Sequence, residues 1–201
     1  MLERSEVLTP EELADALAER LPPRAGGVPR IVAVDGWSGS GKTTLAGVLA
    51  PYLDAPCLHL DDWVPGWHGL ERSVDLLVEW VLAPLSRGGP ARWRRWEWEG
   101  GVWAEWHTTP ASDIVVVEGC GSTAAAARPL LSAAVWIALD DDDRARRLRE
   151  RPDWPVYQPW AATWSAQERA LRAGEDPLAT VDAVVEPTPE GDGAMRVRWV
   201  R

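Results

Sequence analysis

The segment Gly36-Trp37-Ser38-Gly39-Ser40-Gly41-Lys42-Thr43 matches the pattern Gly-x-x-x-x-Gly-Lys-Ser/Thr at every fixed position. Each residue type has a chemical task there. Glycines let successive backbone N–H groups curl around phosphate oxygens, and a helix starting just after them adds the positive end of its dipole. A lysine can reach β- and γ-phosphates, and the Thr43 hydroxyl can ligate Mg²⁺. Lys42 is the only lysine among 21 Lys and Arg residues. The arginine fork is too bulky and differently shaped for the same cradle, so the one lysine marks the place where lysine is needed. The phosphate-contacting set is then Gly36, Ser38, Gly39, Ser40, Gly41, Lys42, Thr43 and Thr44. The bland alternative is a glycine-rich strand-to-helix turn without a ligand.

Two further groups of acids stand where chemistry is expected. Cys57 to Leu60 reads as a short strand stopping at Asp61-Asp62, and Ile114 to Val117 as a buried strand ending at Glu118-Gly119. In open α/β sheets ligands sit beyond the carboxyl ends of strands, where the phosphate loop also lies. An acid there can take a proton from an acceptor hydroxyl, and another can hold Mg²⁺ directly or through water. The alternatives are a helix cap or solvated turn at Asp61-Asp62 and a surface glutamate at position 118.

The elements that must position these residues follow from patterning. Thr9-Pro10-Glu11-Glu12 reads as an N-cap with a capping-box glutamate, opening an amphipathic helix to Leu21. Residues 1–27 are thus an N-terminal helix and linker. Ile31 to Val34 is a buried strand, with loop to Thr43 and helix from Thr44 to Leu53. A helix is expected over Ser73 to Leu85, a Trp-rich hairpin over 91–108, and a strand over Ala134 to Leu139. An Arg-rich helix over 144–152, a helix from Ser165 to Ala173, and a closing hairpin complete the chain. That hairpin pairs Val184–Glu186 with Arg196–Val200 through a turn at Glu190-Gly191-Asp192-Gly193. Buried strands alternating with helices imply a three-layer α/β architecture over residues 1–201, with a central, mostly parallel sheet.

Composition excludes several classes. The 201 residues suffice for one core without disulfide staples, and 46% hydrophobic with 26% charged residues is ordinary for a globular protein. A net charge of −10 argues against a protein built to hold nucleic acid. Cys57 and Cys120 are too few for a secreted disulfide framework and read as buried apolar fillers. The charged N-terminus lacks the apolar core of a signal peptide, and no run of about 18 apolar residues occurs. A cytoplasmic enzyme is the expectation. The chain has no Asn, which removes the Asn-Lys-x-Asp guanine-reading motif of small GTPases.

Taken together, the phosphate loop with Thr44, Leu60-Asp61-Asp62-Trp63 and Val115-Val116-Val117-Glu118-Gly119 resemble the uridine kinase and phosphoribulokinase group of phosphate-loop kinases. Pantothenate and glycerate kinases belong to the same group. The resemblance covers residues 30–151 and does not extend to the last fifty. It implies ATP (or GTP) and Mg²⁺, Asp61 as general base, Glu118 as a Mg²⁺ partner with Thr43, and a small-molecule hydroxyl as acceptor, uridine or cytidine first. Trp63 stands where the group has Phe or Tyr. Trp96-Glu97-Trp98 is similar in character to the group's Tyr-Asp-Phe segment over the acceptor, and His107 to a histidine near the nucleoside base. Asp61, Asp62, Trp63, Trp96, Glu97, Trp98 and His107 therefore form the expected acceptor set.

The lid departs from the group's Arg-Arg-x-x-Arg-Asp, reading Arg146-Arg147-Leu148-Arg149-Glu150-Arg151-Pro152-Asp153, one residue out of register. Helical spacing puts Arg144, Arg147 and Arg151 on one face, and Arg147 and Arg151 are the lid candidates. The alternative is a solvated face on which arginines offset Asp140–Asp143 and Glu150. Trp93, Trp96, Trp98, Trp103 and Trp106 with Arg92, Arg94 and Arg95 suit a pocket that stacks a flat ring. The same ingredients suit single-stranded nucleic acid, which the net charge opposes, or a Trp face packed on the protein. Trp96 and Trp98, two apart, are expected to divide between core and pocket. Two other readings stay open: a nucleotide-binding module with slow hydrolysis and no acceptor, and a kinase of another metabolite or antibiotic alcohol. A homo-oligomer is compatible with the sequence.

Overall fold

A computed structural model describes residues 5–24, 26–188 and 193–201. Seven strands form one sheet in the order β1-β9-β8-β7-β2-β6-β3. These are β1 (Ser5–Leu8), β2 (Arg30–Asp35), β3 (Cys57–His59), β6 (Ile114–Glu118), β7 (Ala133–Ile137), β8 (Ala183–Pro187) and β9 (Met195–Trp199). The five from β3 to β8 run parallel, while β9 and β1 add antiparallel at one edge. A separate two-stranded hairpin consists of β4 (Ala91–Glu97) and β5 (Val102–Thr109).

The central strands are apolar throughout because both faces are covered. Val32, Val34, Val116, Val135 and Val185 face α1 (Pro10–Arg20) and α2 (Lys42–Tyr52) through Leu13, Leu17, Leu45 and Leu49. Ile31, Ala33, Val115 and Val117 face the opposite layer, where Leu76, Leu77, Val81, Leu82 and Leu85 meet them. That second layer is a continuous helical stretch: α3 (Leu70–Leu76), a π-helical segment Leu77–Leu82 and α4 (Ala83–Leu85). It starts three residues before the expected Ser73 and carries a π widening that the pattern did not announce. The capping box of α1 forms as expected: Thr9 N–H donates to Glu12 Oε2 at 2.8 Å, and Glu12 N–H donates to Thr9 Oγ1 at 3.2 Å.

Strand β1 is an addition to the expected elements. Its residues are exposed or half-buried, so it carries no core pattern and exists through its pairing with β9. The closing hairpin β8–β9 forms, while Glu190-Gly191-Asp192 of its expected turn lie outside the described residues. After β7 come α5 (Asp141–Glu150), α6 (Trp154–Tyr157), α7 (Ala161–Leu171) and α8 (Pro177–Thr180). Asp140 caps α5 by accepting from Asp143 N–H at 2.9 Å. Among the described residues no helix is long and apolar enough to cross a membrane.

One buried ion pair ties three of these segments together. Asp35, at the end of β2, is 1% exposed and accepts from Gly36 N–H (2.7 Å), Gly121 N–H (3.1 Å), Thr123 N–H (2.8 Å) and Thr123 Oγ1 (2.9 Å). Arg172, just past α7, completes the site with a charge-assisted bond to the same carboxylate. Removing one partner of such a pair strands a buried charge, which costs about 3 kcal/mol or more. Arg172→Leu is therefore expected to lower unfolding stability by about that amount, read as a shifted urea midpoint at unchanged slope.

Candidate active site

The parallel core places the ends of β2, β3 and β6 on one rim. Register alone sets His59 beside Glu118, and Val34 beside Glu118 on the other side. The phosphate loop runs from Gly36 to Gly41, and α2 starts at Lys42, two residues earlier than expected. Gly39 and Gly41 have φ of +82° and +102°, and a Cβ on Gly39 would lie 2.8 Å from Arg144 O. Only glycine accepts both that backbone and the helix α5 pressed against it.

The amides of Gly39, Gly41, Lys42 and Thr43 have no backbone partner among the described residues, which leaves them for an anion. Ser40 Oγ is buried with no hydrogen-bond partner, a second sign that the loop is shaped for a guest. Lys42 is 9% exposed and its Nζ donates to Trp37 O at 3.2 Å. Burial acts against its charge, yet Cys120, Asp35, Glu168 and Asp61 outweigh it and hold the ammonium pKa above the usual lysine value.

Thr43 Oγ1 donates to Glu118 Oε1 at 3.2 Å, so the two expected metal residues meet. They supply two hard oxygens. No cluster of three or more His, Cys, Asp or Glu occurs among the described residues. Only a cation that keeps most of its waters fits such a pair, and Mg²⁺ is of that kind. His59 Nδ1 also meets Glu118 Oε1, at 2.6 Å.

A cavity of about 660 Å³ opens over the loop. Ser38, Gly39, Gly41, Lys42, Thr43 and Thr44 form its floor, with Asp61, Glu118, Arg147 and Arg151 around it. Asp61 sits on the helical turn Leu60–Trp63 after β3 and keeps accessible surface on the cavity side. Protein crowds it elsewhere. That burial and the Glu118 carboxylate raise its pKa above the ordinary aspartate value, while Lys42 and Arg151 pull the other way.

Helix α5 lies along the loop. Arg144 Nη1 donates to Ser38 O at 3.0 Å and Arg147 Nη1 to Ser40 O at 3.3 Å. Arg151 lines the cavity beside Asp61 and forms two hydrogen bonds to Asp153, at 2.8 and 2.5 Å. Arg146, by contrast, pairs with Asp143 and Glu150 in solvent. The arginine run thus divides between two faces, Arg147 and Arg151 lining the cavity and Arg146 in solvent.

The far wall of the cavity is aromatic: Trp67, Trp98, Tyr157 and Trp164. Trp67 is the hub, with its ring centroid 4.9 Å from Trp98, 5.9 Å from Tyr157 and 6.2 Å from Trp164. Trp98 Nε1 donates to the backbone carbonyl of Asp61 at 3.3 Å, which ties this wall to the turn that carries the carboxylate.

Several expected acceptor residues lie elsewhere. Trp63 is fully buried in the second core layer, donating to Ser73 O and packing on Trp93. Its ring belongs to the core because the turn after β3 directs it under the hairpin. Glu97 caps its own turn, accepting from Glu99 and Gly100 N–H. His107 stacks on Trp93 with centroids 4.4 Å apart and bonds Glu105. Trp96 packs edge-on against Trp103, since a bulge after Arg94 re-aims the strand. Asp62 is half-buried off the cavity, its pKa raised by burial against the pull of His59 and His107. Of the hairpin's expected residues, only Trp98 reaches the cavity, because it sits in the turn beyond the strand.

Three further side chains contribute: Cys120, expected as an apolar filler, and Glu168 and Arg172, which no motif marks. Cys120 is no mere filler: its Sγ lies 3.1 Å from Glu168 Oε1 and 3.5 Å from Gly36 O, at the cavity edge. Glu168 and Arg172 stand four apart on α7 and its cap, below Trp164. Two charges continuing the face of a buried Trp at helical spacing were the signal for them.

No family model and no curated protein matches this chain. Solved structures do. A candidate uridine kinase from Bacillus stearothermophilus superposes with a TM-score of 0.63 at 18% identity, over 87% of this chain and 96% of that one. A candidate fructose transport system kinase from Silicibacter sp. TM1040 gives 0.59 at 18% identity, over 85% and 91%. At these identities the likeness is one of fold, and the fold is that of phosphate-loop kinases.

The His59–Glu118 contact makes stability pH-dependent. The hydrogen bond to Glu118, opposed by burial, raises the His59 pKa above 6.5. A group with a raised folded pKa stabilises fully below its unfolded value and loses that contribution as pH rises through the folded one. The melting-temperature gap between the parent and His59→Gln is expected to be widest near pH 6 and to close as pH rises above neutrality.

Proposed function

We propose that the protein transfers the γ-phosphoryl group of ATP to a hydroxyl of a small molecule, with Mg²⁺. The observation that carries this reading is the shared cavity. Phosphate-loop amides, Lys42, the Thr43–Glu118 pair and a carboxylate with a raised pKa all face one 660 Å³ space, which Trp67, Trp98, Tyr157 and Trp164 also line. A slow hydrolase without an acceptor has no use for that aromatic lining.

The loop amides and Lys42 bind the phosphates and oppose the charge that develops on their oxygens. Mg²⁺, when bound through Thr43 and Glu118, adds charge neutralisation at the same phosphates. Arg147 and Arg151 face the region from the lid helix. Asp61 accepts the proton of the attacking hydroxyl, and its raised pKa makes it a stronger base than an ordinary aspartate. Trp67, Trp98, Tyr157 and Trp164 offer a flat apolar wall for the body of the acceptor.

A pyrimidine nucleoside is the first acceptor to test, in keeping with the resemblance of the motifs and with one fold neighbour described as a uridine kinase candidate. A different ring-bearing or sugar alcohol is the second reading. It is favoured by the positions of Glu97 and His107, which are engaged with their own hairpin and turned from the cavity. GTP is the alternative donor.

ADP formation from Mg²⁺-ATP should rise with one member of a panel of nucleosides, sugars, glycerate, pantothenate and hydroxylated antibiotics. Lys42→Ala should abolish that rise. Asp61→Asn should lose about 100-fold or more in kcat while still binding nucleotide. In the parent enzyme the acid limb of kcat/KM should fall above 3.8, the ordinary aspartate value. An Asp61→Asn enzyme of full activity would remove the base assignment.

A further inference from the structure

Glu168 is an acid only 4% exposed, and it lies behind the phosphate loop rather than in the cavity. Its Oε1 accepts from Ser38 N–H at 2.7 Å and lies 3.1 Å from Cys120 Sγ. Placing a carboxylate near a site for polyphosphate works against the guest's charge, so some other benefit must hold it there. The geometry supplies one. Ser38 is the third residue of the loop after β2, and the two glycines that follow at alternate positions leave the loop with little stiffness of its own. Arg144 grips the carbonyl of the same residue at 3.0 Å from the opposite side. The peptide groups flanking Ser38 are therefore held at both ends, by α7 on one side and α5 on the other.

We infer that Glu168 is a positioning residue for the nucleotide site, fixing the Ser38 amide so that the free amides of Gly39, Gly41, Lys42 and Thr43 converge on one phosphate. It touches no phosphate itself. The bond to Ser38 N–H needs an acceptor oxygen at that point and does not need a charge. Helix α7 is the rigid base for it, anchored by the Arg172–Asp35 pair one turn further on and by Trp164 one turn before. The inference rests on reading this loop as a nucleotide site.

The test is Mg²⁺-ADP affinity by calorimetry, which requires no acceptor. Parent protein is measured first, and no binding there would overturn the nucleotide reading rather than this one. With the parent binding, Glu168→Ala is expected to weaken Mg²⁺-ADP about tenfold, in keeping with loss of one hydrogen bond to a charged acceptor. Glu168→Gln, which keeps a carbonyl oxygen at the same reach, should bind as tightly as the parent or more tightly. A general loss of packing would lower the melting temperature of both variants without that split. Equal weakening in both, or none in Glu168→Ala, would overturn the inference. Should Glu168→Ala fail to fold, Glu168→Asp carries the test: withdrawing the carboxylate by one methylene should weaken affinity about threefold, and unchanged affinity would overturn it.

Discussion

The carboxylate of Asp35 is the constraint on which the rest of the site depends. It ends the central strand, sits at 1% exposure, and collects hydrogen bonds from the first amide of the phosphate loop, from the loop after β6 and from Arg172. A charge buried that deeply is tolerable only when its lone pairs are filled, so each of those segments must be in place at once. The loop after β6 carries Cys120, and Arg172 carries the end of α7. A single ion pair thus sets the distance between the glycine loop, the end of β6 and the end of α7.

From that anchor the cavity is assembled by two helices that the chain supplies late. Helix α5 grips the loop carbonyls through Arg144 and Arg147, and α7 grips a loop amide through Glu168. Trp164 on α7 and Tyr157 just before it also build the aromatic wall opposite Asp61. Glycine loop and aromatic wall therefore share supports. This is economical in a chain of this size, because the same buried face of α7 serves stability and both halves of the site.

The hairpin shows where periodic reasoning stops. Trp96 and Trp98 do divide, Trp96 packing on Trp103 and Trp98 lining the cavity, but by a bulge after Arg94 and the turn starting at Glu97 rather than by strand alternation. The Trp-rich strands mostly pack on each other and on the π-helical layer, with Trp80 against Trp103 and Trp106. The aromatic wall of the cavity instead draws on Trp67 and Trp164, residues outside any motif of the sequence.

What the sequence alone determined was the part written in short-range terms. Strand, glycine loop, lysine and helix are contiguous, so the loop and its place were legible, as were the acids after β3 and at the end of β6 and the parallel α/β layering. Lone Lys42 among arginines pointed to the same spot. What only the tertiary structure decided were contacts spanning 130 residues, such as Ser38 with Glu168, and the pairing of β1 with β9. Those depend on where separate elements meet in space. An exposed edge strand and a buried glutamate bear no local pattern, because the partner that gives each its meaning lies far along the chain.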